Sequence, residues 1–488
     1  MTDLLPGQVE TVQRGPRDAD LPVPSAASIT PGYVNAAPMG TPAWWLARLW
    51  AQLDARAARI ERWDAYYRGD QPLAFASEKF RDAFGGRFRA FSSNFCSLVV
   101  DATRERLEVQ GFRLSGPRAE RRAWRVWQEN DLDAGSQMAH TEALVKGVVY
   151  TLVEPRLDDL PRITVEDPVC TITESDPRDR RVRLAGLKRW RDVDGSIVVY
   201  LYLPEAVWKL RSRGAWSGQG IPTLEPDGDP WPLPNPLGIV PLVPLFNRPR
   251  LDGTGSSEVE PIMSNQDAVN KYRADALIAA EFGAYRQRWA IGIDIPTDPK
   301  TGKPVEPFRA AVDRLWVAPP PDPEDPAPAK VEFGEFSQTD LEPYQRMIES
   351  EVGAISSISR LPYHYLLGQP QAIPPSGESL KSSEAGLIAK VRTLMIHLGE
   401  GWEETMRLAL RASGDPGAEE RAAETVWRDP ETRNEAVRTD AVIKQFQIGL
   451  ISREVALEEL GYSPEQITRM TMPAPLPALD STEVPIPT

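Results

Sequence analysis

The first residues to test for chemistry are those at 253–257, which read GTGSS. A phosphate-binding loop of the G-x-x-x-x-G-K-[ST] type holds phosphates with backbone N–H groups, a lysine and a hydroxyl. The GTGSS segment lacks both the later glycine and the lysine, and the full motif occurs nowhere in the chain. We interpret the segment as a tight turn that leads into a helix.

Histidine and cysteine chemistry has equally little support. The chain has three histidines and two cysteines, and these are His140, His364, His397, Cys96 and Cys170. None of the histidines lies four residues from another or close to a cysteine, so a zinc site or a His-based triad would have to be assembled from distant segments. No G-x-S-x-G elbow is present, and the 70 acidic residues single out no carboxylate pair. The sequence predicts no catalytic residue, no metal and no cofactor, with an enzyme built from scattered acids as an alternative.

Two arginine clusters are candidates for nucleic-acid binding. The first cluster consists of Arg118, Arg121, Arg122 and Arg125 with Trp124 and Trp127, and the second of Arg178, Arg180, Arg181 and Arg183. Such clusters occur in nucleic-acid surfaces, but a helix face that pairs with the many acids explains them as well. Residues 443–467 resemble a helix-turn-helix whose second helix has few cations for phosphates. A DNA-binding protein is therefore the second alternative.

Composition narrows the class of protein. The chain has 488 residues, 41% hydrophobic and 26% charged, which is typical of a folded protein with a sizeable core. Its net charge of −14 argues against tight, sequence-independent wrapping of nucleic acid. Two cysteines fit a reducing compartment, and we find neither a signal-peptide layout nor an apolar run long enough to span a membrane.

The element around which the chain is organised is a long helix predicted over residues 253–282. Ser257 and Glu260 form a capping-box pair at its start. Its apolar stripe recurs at three- and four-residue steps and contains Val259, Ile262, Met263, Val269, Tyr272, Ala276 and Ala280. Its charged residues lie off the stripe, on a face expected to be wet over the whole length, and include Glu258, Asp267, Lys271, Arg273 and Asp275.

The spacing of apolar residues also predicts the other helices and strands. The remaining helices are predicted over 44–67, 94–108, 118–130, 136–146, 339–359, 378–411, 434–448 and 452–460. Strands are predicted over 148–154, 162–165, 182–190, 196–203, 289–293, 314–317 and 330–333, with a hairpin turn at Asp194-Gly195. Glycines 399 and 401 are expected to allow a kink in the helix over 378–411. The predicted class is α+β, mainly α.

Five stretches together resemble the portal proteins of tailed bacteriophages, in the branch common among phages of actinobacteria. They are WDAYYRGDQPL, NFCSLVVDATRERLEVQGFR, WQENDLDAGSQMAHTEALVKGVVYTLVE, PLVPLFNRPRLDGTGSSEVEPIMSNQDAVNKYRADAL and PSGESLKSSEAGLIAKV. The resemblance covers about residues 42–465, and its specificity comes from the order and spacing of stretches that hold no catalytic motif. It does not account for the N-terminal arm.

The resemblance implies a portal fold assembled as a ring, usually of twelve subunits, with this division of the chain. Residues 1–41 are a disordered arm, 42–252 the α+β wing, 253–284 the first stem helix, 285–338 the clip, 339–360 the second stem helix, 361–377 the tunnel loop, 378–411 the long wing helix, 412–470 a helical crown and 471–488 a flexible tail.

The resemblance also implies a function without covalent chemistry, and a capsid-associated protein that forms no channel is the alternative to it. The ring would stand at one capsid vertex of the virion, after assembly in the host cytoplasm, and pass double-stranded DNA during packaging and ejection. Its implied partners are other copies of itself, the terminase large subunit, a head-completion adaptor, and the major capsid and scaffolding proteins, with no membrane. We expect the channel constriction at Tyr363, His364, Gln369, Gln371 and Ser376, and DNA-facing stem positions at Lys271 and Arg273.

Overall fold

The computed structural model describes residues 30, 32, 34, 36–72, 93–114, 116–156, 160–218, 220–228, 231–284, 288–291, 300, 332–335, 340–367, 377–419, 422–431, 435–462 and 464–471. Its helices are α1 Pro42–Arg68, α2 Phe95–Arg104, α3 Pro117–Glu129, α4 Leu132–Lys146, α5 Met263–Ala284, α6 Glu342–Ser359, α7 Tyr363–Leu366, α8 Gly377–Ala412, α9 Glu435–Gln447, α10 Arg453–Glu459 and α11 Pro464–Thr471.

The strands together hold fewer residues than the helices, in agreement with a mainly α class. They are β1 Val109–Arg113, β2 Val148–Glu154, β3 Arg162–Glu166, β4 Thr171–Ser175, β5 Arg183–Arg191, β6 Ile197–Tyr202, β7 Ala206–Ser212, β8 Leu224–Pro226, β9 Leu233–Pro234, β10 Leu242–Phe246, β11 Arg288–Ile291, β12 Glu332–Glu335 and β13 Glu424–Trp427. Short 3-10 turns cover Glu260–Ile262 and Pro416–Glu419.

The contacts divide the chain into two compact units, each made of segments far apart in sequence. The first unit contains Met1–Ala65, Val100–Glu260 and Gly377–Thr488, and the second contains Tyr66–Val99 and Pro261–Ser376. The first unit therefore joins most of the predicted wing to the long helix and crown that follow it by more than a hundred residues.

A six-stranded antiparallel sheet forms one layer of the first unit. Its strands run in the order β4-β5-β6-β7-β8, and β9 pairs with β7. The turn between β5 and β6 contains Gly195 at φ 80°, which confirms the predicted Asp194-Gly195 hairpin. Helix α1 covers this sheet with side chains at steps of three and four residues, and these are Leu46, Leu49, Trp50 and Leu53.

A second, three-stranded sheet in the same unit has the order β10-β2-β3 and packs against α4 and α8. The side-chain hydroxyls of Thr151 and Thr405 share a buried hydrogen bond of 2.7 Å across the contact with α8. Helix α8 continues without a break through both glycines that were expected to kink it. Gly401 instead allows close packing, since a Cβ there would lie 2.6 Å from Cγ of Leu245.

The remaining sheet of the first unit joins two distant parts of the sequence. Strand β1 pairs antiparallel with β13, so that Arg113 lies opposite Glu424. Neither strand was predicted, and helix α2 ends at Arg104 where the sequence predicted helix to 108. The stretch 412–470, predicted as a crown, therefore contributes a strand to a sheet that begins within the predicted wing.

Helices α9 and α10 lie within one residue of their predicted bounds, whereas α11 was not predicted. Ser452 begins α10 as predicted, because its Oγ accepts a hydrogen bond from the N–H of Val455 at 3.2 Å. Most of the predicted N-terminal arm and nearly all of the predicted tail lie outside the described residues. One arm residue does not fit disorder, since Val34 is 1% exposed and packs in the core beneath α1.

The second unit centres on α5 and α6, which pack along each other. The capping box predicted from Ser257 and Glu260 is wrong. Helix α5 begins at Met263 after a 3-10 turn, while the Oγ of Ser257 accepts from the N–H of Val259. Helix α6 begins at Glu342, whose N–H donates to Asp340 Oδ1 at 3.0 Å. The first helix is therefore about 33 Å long, shorter than the sequence suggested.

The stretch between these two helices is described only in part. Strand β11 pairs antiparallel with β12, which places two of the three strands predicted there in one hairpin-like ladder. The predicted strand over 314–317 lies outside the described residues.

Candidate functional site

The segment after α6 holds the predicted constriction residues that the structure describes. Tyr363 is 40% exposed and begins the short helix α7, and His364 is half-buried. The ring of His364 lies edge-on to that of Tyr365, with centroids 4.8 Å apart. The base of the segment is anchored, since Leu361 and Leu366 are buried and Ser356 Oγ donates to the carbonyl of Leu361 at 2.7 Å.

The other three predicted constriction residues are not among those described. Gln369, Gln371 and Ser376 lie outside the described residues, so the structure does not test whether the five residues come together. What it does establish is a fixed base that presents Tyr363 to the exterior of this unit.

The two predicted DNA-facing cations lie on different sides of α5. Lys271 is half-buried and forms an ion pair with Asp275 one turn later, so its charge is locally neutralised. Arg273 is exposed. Side chains two residues apart on a helix do not face each other, so the two cations do not lie side by side on one face of α5.

The polar side of α5 is not wet over its whole length, contrary to the sequence expectation. Gln266 is fully buried, where its Nε2 donates to the carbonyl of Ser93 at 2.6 Å and its Oε1 accepts from the N–H of Phe95 at 2.7 Å. Asn270, 4% exposed, accepts from the N–H of Ser93. The hydrophobic pattern of a sequence does not reveal such buried amides. Asparagine and glutamine count as polar in that pattern even where they are buried and hydrogen-bonded to a neighbouring backbone.

The GTGSS segment is a turn held by backbone contact, in agreement with its interpretation from sequence. Arg250 N–H donates to the carbonyl of Thr254 at 2.8 Å. A Cβ at Gly255 would lie only 1.8 Å from the carbonyl oxygen of Gly147, so the glycine is required for the close approach of two backbones. Asn247 N–H donates to that same Gly147 oxygen at 2.9 Å. The glycines therefore serve packing rather than phosphate binding.

A buried charge cluster lies directly after this turn, and the sequence analysis missed it. Glu258, expected on the wet face, is 4% exposed. Its carboxylate lies 3.2 Å from Lys390 Nζ and 3.0 Å from Arg248 Nε. Burial alone would raise the pKa of Glu258, but the attraction of Lys390 and Arg248 outweighs burial and lowers the pKa below its ordinary value.

This cluster is a positioning device for the chain that leads into α5. The N–H of Glu258 donates to the carbonyl of Leu144 at 2.8 Å, so backbone and side chain are both fixed. An ion pair at 4% and 8% exposure is stabilising only when its partners remain together. No spacing rule could have paired residues 258 and 390, because they are far apart in the chain.

His140 has the structural role that the sequence favoured. Its side chain is fully buried, and Trp402 Nε1 donates a hydrogen bond of 3.0 Å to its Nε2. The ring of Trp427 lies 5.5 Å from that of His140, centroid to centroid. Burial lowers the pKa of His140 to about 3, so the imidazole is neutral at physiological pH.

Ion pairs within the subunit hold four arginines of the two clusters, and these are Arg122, Arg125, Arg181 and Arg183. These pairs favour helix and loop faces that pair with acids over nucleic-acid binding. Arg183 lies 2.8 Å from Glu404, and Arg122 lies 3.8 Å from Asp415. Trp124 and Trp127 are buried at 7% and 0% exposure, so neither presents a ring on which a base could stack.

The described ranges contain neither a candidate metal site nor a candidate membrane span. Within them, no group of three or more His, Cys, Asp or Glu side chains is placed to hold a metal ion. Among the helices that can be examined there, none combines the length and hydropathy needed to cross a membrane.

Comparisons with known proteins agree with one another along most of the chain. Residues 46–466 match the family model described as phage portal protein, SPP1 Gp6-like. The portal protein of Mycobacterium phage L5 is 32% identical over 394 residues, covering 76% of each chain. The portal protein of Mycobacterium phage D29 is 33% identical over 387 residues, covering 75% of each chain.

Solved structures resemble the chain more loosely. A chain from the neck of an empty GTA particle, computed with C6 symmetry, has a TM-score of 0.41 at 14% identity and covers 81% of this chain and 96% of its own. A chain from the neck of a native GTA particle, computed with C12 symmetry, has a TM-score of 0.38 at 13% identity, with 79% and 92% covered. At such scores the likeness carries no argument.

Proposed function

The chain belongs to the SPP1 Gp6-like family of phage portal proteins, and from this membership we propose that it forms the DNA conduit of a tailed-phage head. The observation that carries the proposal is the match over residues 46–466, which includes nearly every described helix and strand. The conduit is a ring, of twelve copies, at one vertex of the capsid.

The exposed apolar side chains of the second unit support assembly into a ring. Four apolar side chains are between 37% and 48% exposed, and these are Leu277 on α5, Leu341 just before α6, and Met347 and Ile358 on α6. A contiguous apolar patch is typical of a surface that another protein covers. In a ring every subunit offers the same two flanks, so that each copy covers the next.

We assign the stem to α5 and α6, the clip to residues 285–338 and the tunnel loop to residues 361–377. The wing comprises residues 42–252 and the long helix over 378–411, and the crown comprises residues 412–470. Strand pairing of β1 with β13 supports a close association of wing and crown within one subunit.

Passage of DNA requires a wall that does not hold phosphates. Each phosphate–cation contact adds affinity and thereby resistance to sliding. The net charge of −14 and the pairing of Lys271 with Asp275 both limit such contacts. We propose Arg273, which is exposed, as the stem cation that DNA meets, with Lys271 contributing only when it leaves Asp275.

The tunnel loop is the proposed constriction. Tyr363 and His364 stand on its anchored base, and Gln369, Gln371 and Ser376 complete it. Deletion of residues 369–375 is expected to leave ring assembly intact and to impair packaging or retention of DNA. Loss of the ring in that variant would contradict the assignment of the loop.

We assign no catalytic step to this chain, and ATP hydrolysis during packaging belongs to the terminase. The clip docks the terminase large subunit and later the head-completion adaptor, while the wing meets major capsid and scaffolding proteins. Assembly takes place in the host cytoplasm, and the finished ring is a component of the virion.

Negative-stain electron microscopy of the purified protein, with a mass measurement on the same sample, tests the ring. We expect rings with a stain-filled hole and a mass of twelve times 54.2 kDa. A closed dimer without a hole would refute the conduit.

Substitution at the proposed subunit contact tests how the ring is held together. Ile358→Asp is expected to shift the protein from rings to single subunits, because it places a charge among the exposed apolar groups of α6. Val193→Asp is the matched control, since Val193 is fully exposed in a turn of the first unit. Rings of normal abundance with Ile358→Asp would show that this flank is not the contact.

A further inference from the structure

The end of helix α9 exposes a dense group of apolar side chains. Four of the eight residues at 443–450 are large, apolar and exposed, and these are Ile443 at 44%, Phe446 at 46%, Ile448 at 72% and Leu450 at 71%. We call these four side chains the α9 face. Ile443, Phe446 and Leu450 follow one another at steps of three and four residues, which places them on one side of the helix and its last turn. The α9 face is therefore one continuous surface, and the conduit as described so far gives it no role.

Backbone hydrogen bonds fix the conformation of the α9 face. The N–H of Gly449 donates to the carbonyl of Phe446 at 3.0 Å, and the N–H of Leu450 donates to the carbonyl of Gln445 at 3.0 Å. These two bonds form the Schellman motif that ends many helices, and Gly449 has the left-handed backbone that the motif needs, at φ 76°. Ile448 and Leu450 are thus held in place before a partner arrives, which lowers the entropy lost on binding.

Helix α9 has little packing within the subunit. Of residues 439–450, Val442 alone is buried, at 4% exposure, and all the others are exposed. The helix packs against α10. A helix of 13 residues is marginally stable in water unless an apolar face packs against another surface. A further surface that covers the α9 face would therefore stabilise the helix.

The charge of this surface indicates what covers it. Lys444 is the one charged residue at 443–450, and its Nζ lies 2.7 Å from Asp440 Oδ2, so the surface has no net charge. A nucleic acid would need unpaired cations for its phosphates. Copies of this chain, each with a net charge of −14, repel each other and approach most easily through apolar surfaces without net charge. Charge therefore favours a second copy of the chain over nucleic acid.

We propose that the α9 face is a subunit contact that docks on a different surface of a second copy of this chain. The inference rests on the proposed conduit, because a closed ring joins each copy to two neighbours through unlike flanks. The four side chains leave on the order of 400 Å² of apolar surface open, a size typical of functional patches. That is about half of the ~800 Å² that each partner buries in a standard interface, so the contact alone holds a pair weakly. In the ring it acts together with the exposed apolar side chains of the second unit, and the two contacts reinforce each other.

Ring formation by full-length variants tests whether copies meet at the α9 face. Leu450→Asp is expected to raise the protein concentration for half-maximal ring formation roughly tenfold or more, because each contact would bury a charge. Leu251→Asp is the matched control, since Leu251 is 87% exposed in a turn of the same unit. Thermal unfolding of the separated subunits should be the same for both variants. Equal ring formation by the two would overturn the contact, whereas a wild type without rings would refute the conduit itself.

Photo-cross-linking identifies what covers the α9 face. Benzoylphenylalanine in place of Phe446 keeps an aromatic ring there, and under ultraviolet light its carbonyl group adds a C–H bond of a neighbouring residue. Isotopically light and heavy protein are mixed before assembly, so that links between copies contain both isotopes. We expect mixed-isotope links from position 446 to a surface outside residues 435–471. The same label at Val193, which is fully exposed in a turn, measures the background.

Other link patterns in these rings would contradict the proposal. Links within one chain, to residues 1–29 or 472–488, would show that the chain covers its own α9 face. Mixed-isotope links between the α9 faces of two copies would describe a two-fold pair, which does not extend to a larger ring. Rings without links above the Val193 background would show that no second copy covers the face. Binding of a short DNA duplex that Leu450→Asp abolishes would assign the face to nucleic acid instead.

Discussion

The buried imidazole of His140 makes a quantitative prediction about acid stability. Its pKa is about 3 in the folded protein and 6.5 as an ordinary histidine. Between about pH 6.5 and pH 3, the imidazole of His140 is therefore protonated in the unfolded chain and neutral in the folded chain. The stabilising contribution is complete above pH 6.5 and is lost progressively as the pH falls from 6.5 towards 3.

The size of the effect follows from the two pKa values. At about pH 4.5, roughly two units below the unfolded pKa, protonation favours the unfolded chain by on the order of 3 kcal/mol. At about pH 7.5 the corresponding cost is negligible. His140 alone therefore removes on the order of 3 kcal/mol of the unfolding free energy between these two pH values.

The variant that isolates this term is His140→Gln. Its amide oxygen can accept the hydrogen bond of Trp402 Nε1 but does not titrate. Other groups also lose stability on acidification, including Glu258, whose lowered pKa makes its contribution vanish as the pH falls through the folded value. Those losses are common to both proteins, so the difference between them reports His140.

The assay is urea unfolding followed by tryptophan fluorescence at both pH values. We expect the wild type to lose on the order of 3 kcal/mol more than His140→Gln on acidification. His140→Phe serves as a control without an acceptor, and it should be less stable than His140→Gln at both pH values because the Trp402 N–H is left unsatisfied. Parallel losses in the wild type and His140→Gln would refute the argument from burial.

Two further predictions concern the segment that leads into helix α5. Gly255→Ala is expected to destabilise the protein by about 3 kcal/mol or more, since the new Cβ meets backbone. Gly353→Ala, on α6 with no atom within 4 Å, should instead be neutral or stabilising by up to ~1 kcal/mol, and equal urea midpoints for the two would contradict this. Glu258→Gln should cost roughly 3 kcal/mol by leaving two cations without their buried carboxylate. The exposed Glu342→Gln should change the unfolding free energy little, and a similar loss in both would show that the cluster is not special.

Much of the secondary structure follows from local sequence. Strand β2 has the bounds that its apolar run predicts, and α1 and α3 begin and end within two residues of their predictions. The period of apolar side chains and the turn residues depend only on a few neighbouring positions in the chain. They can therefore be recognised without knowledge of the fold. Sequence order and spacing also identified the portal family, which the match over 46–466 confirmed.

Helix starts and short strands were predicted less well, for a local physical reason. Ser257 and Glu260 have the capping-box spacing, yet Ser257 closes a turn with Val259 and the helix begins at Met263. Strands such as β4 and β7 carry mixed polar and apolar residues on both faces, so their period is weak. Alternative hydrogen bonds compete at such helix starts and strand ends. A pattern of residue types does not show which of these hydrogen bonds is the most stable.

The candidate site divides in the same way between sequence and structure. The sequence by itself determined the class of elements, the absence of known catalytic motifs, the family and the positions of the proposed loop and stem. Only the tertiary structure decided that Glu258 is buried beside Lys390, that Gln266 is internal, and that β1 pairs with β13. These are contacts between residues tens to hundreds of positions apart. Their partners come from the packing of whole elements, whereas periodicity reports only which face of one element is apolar.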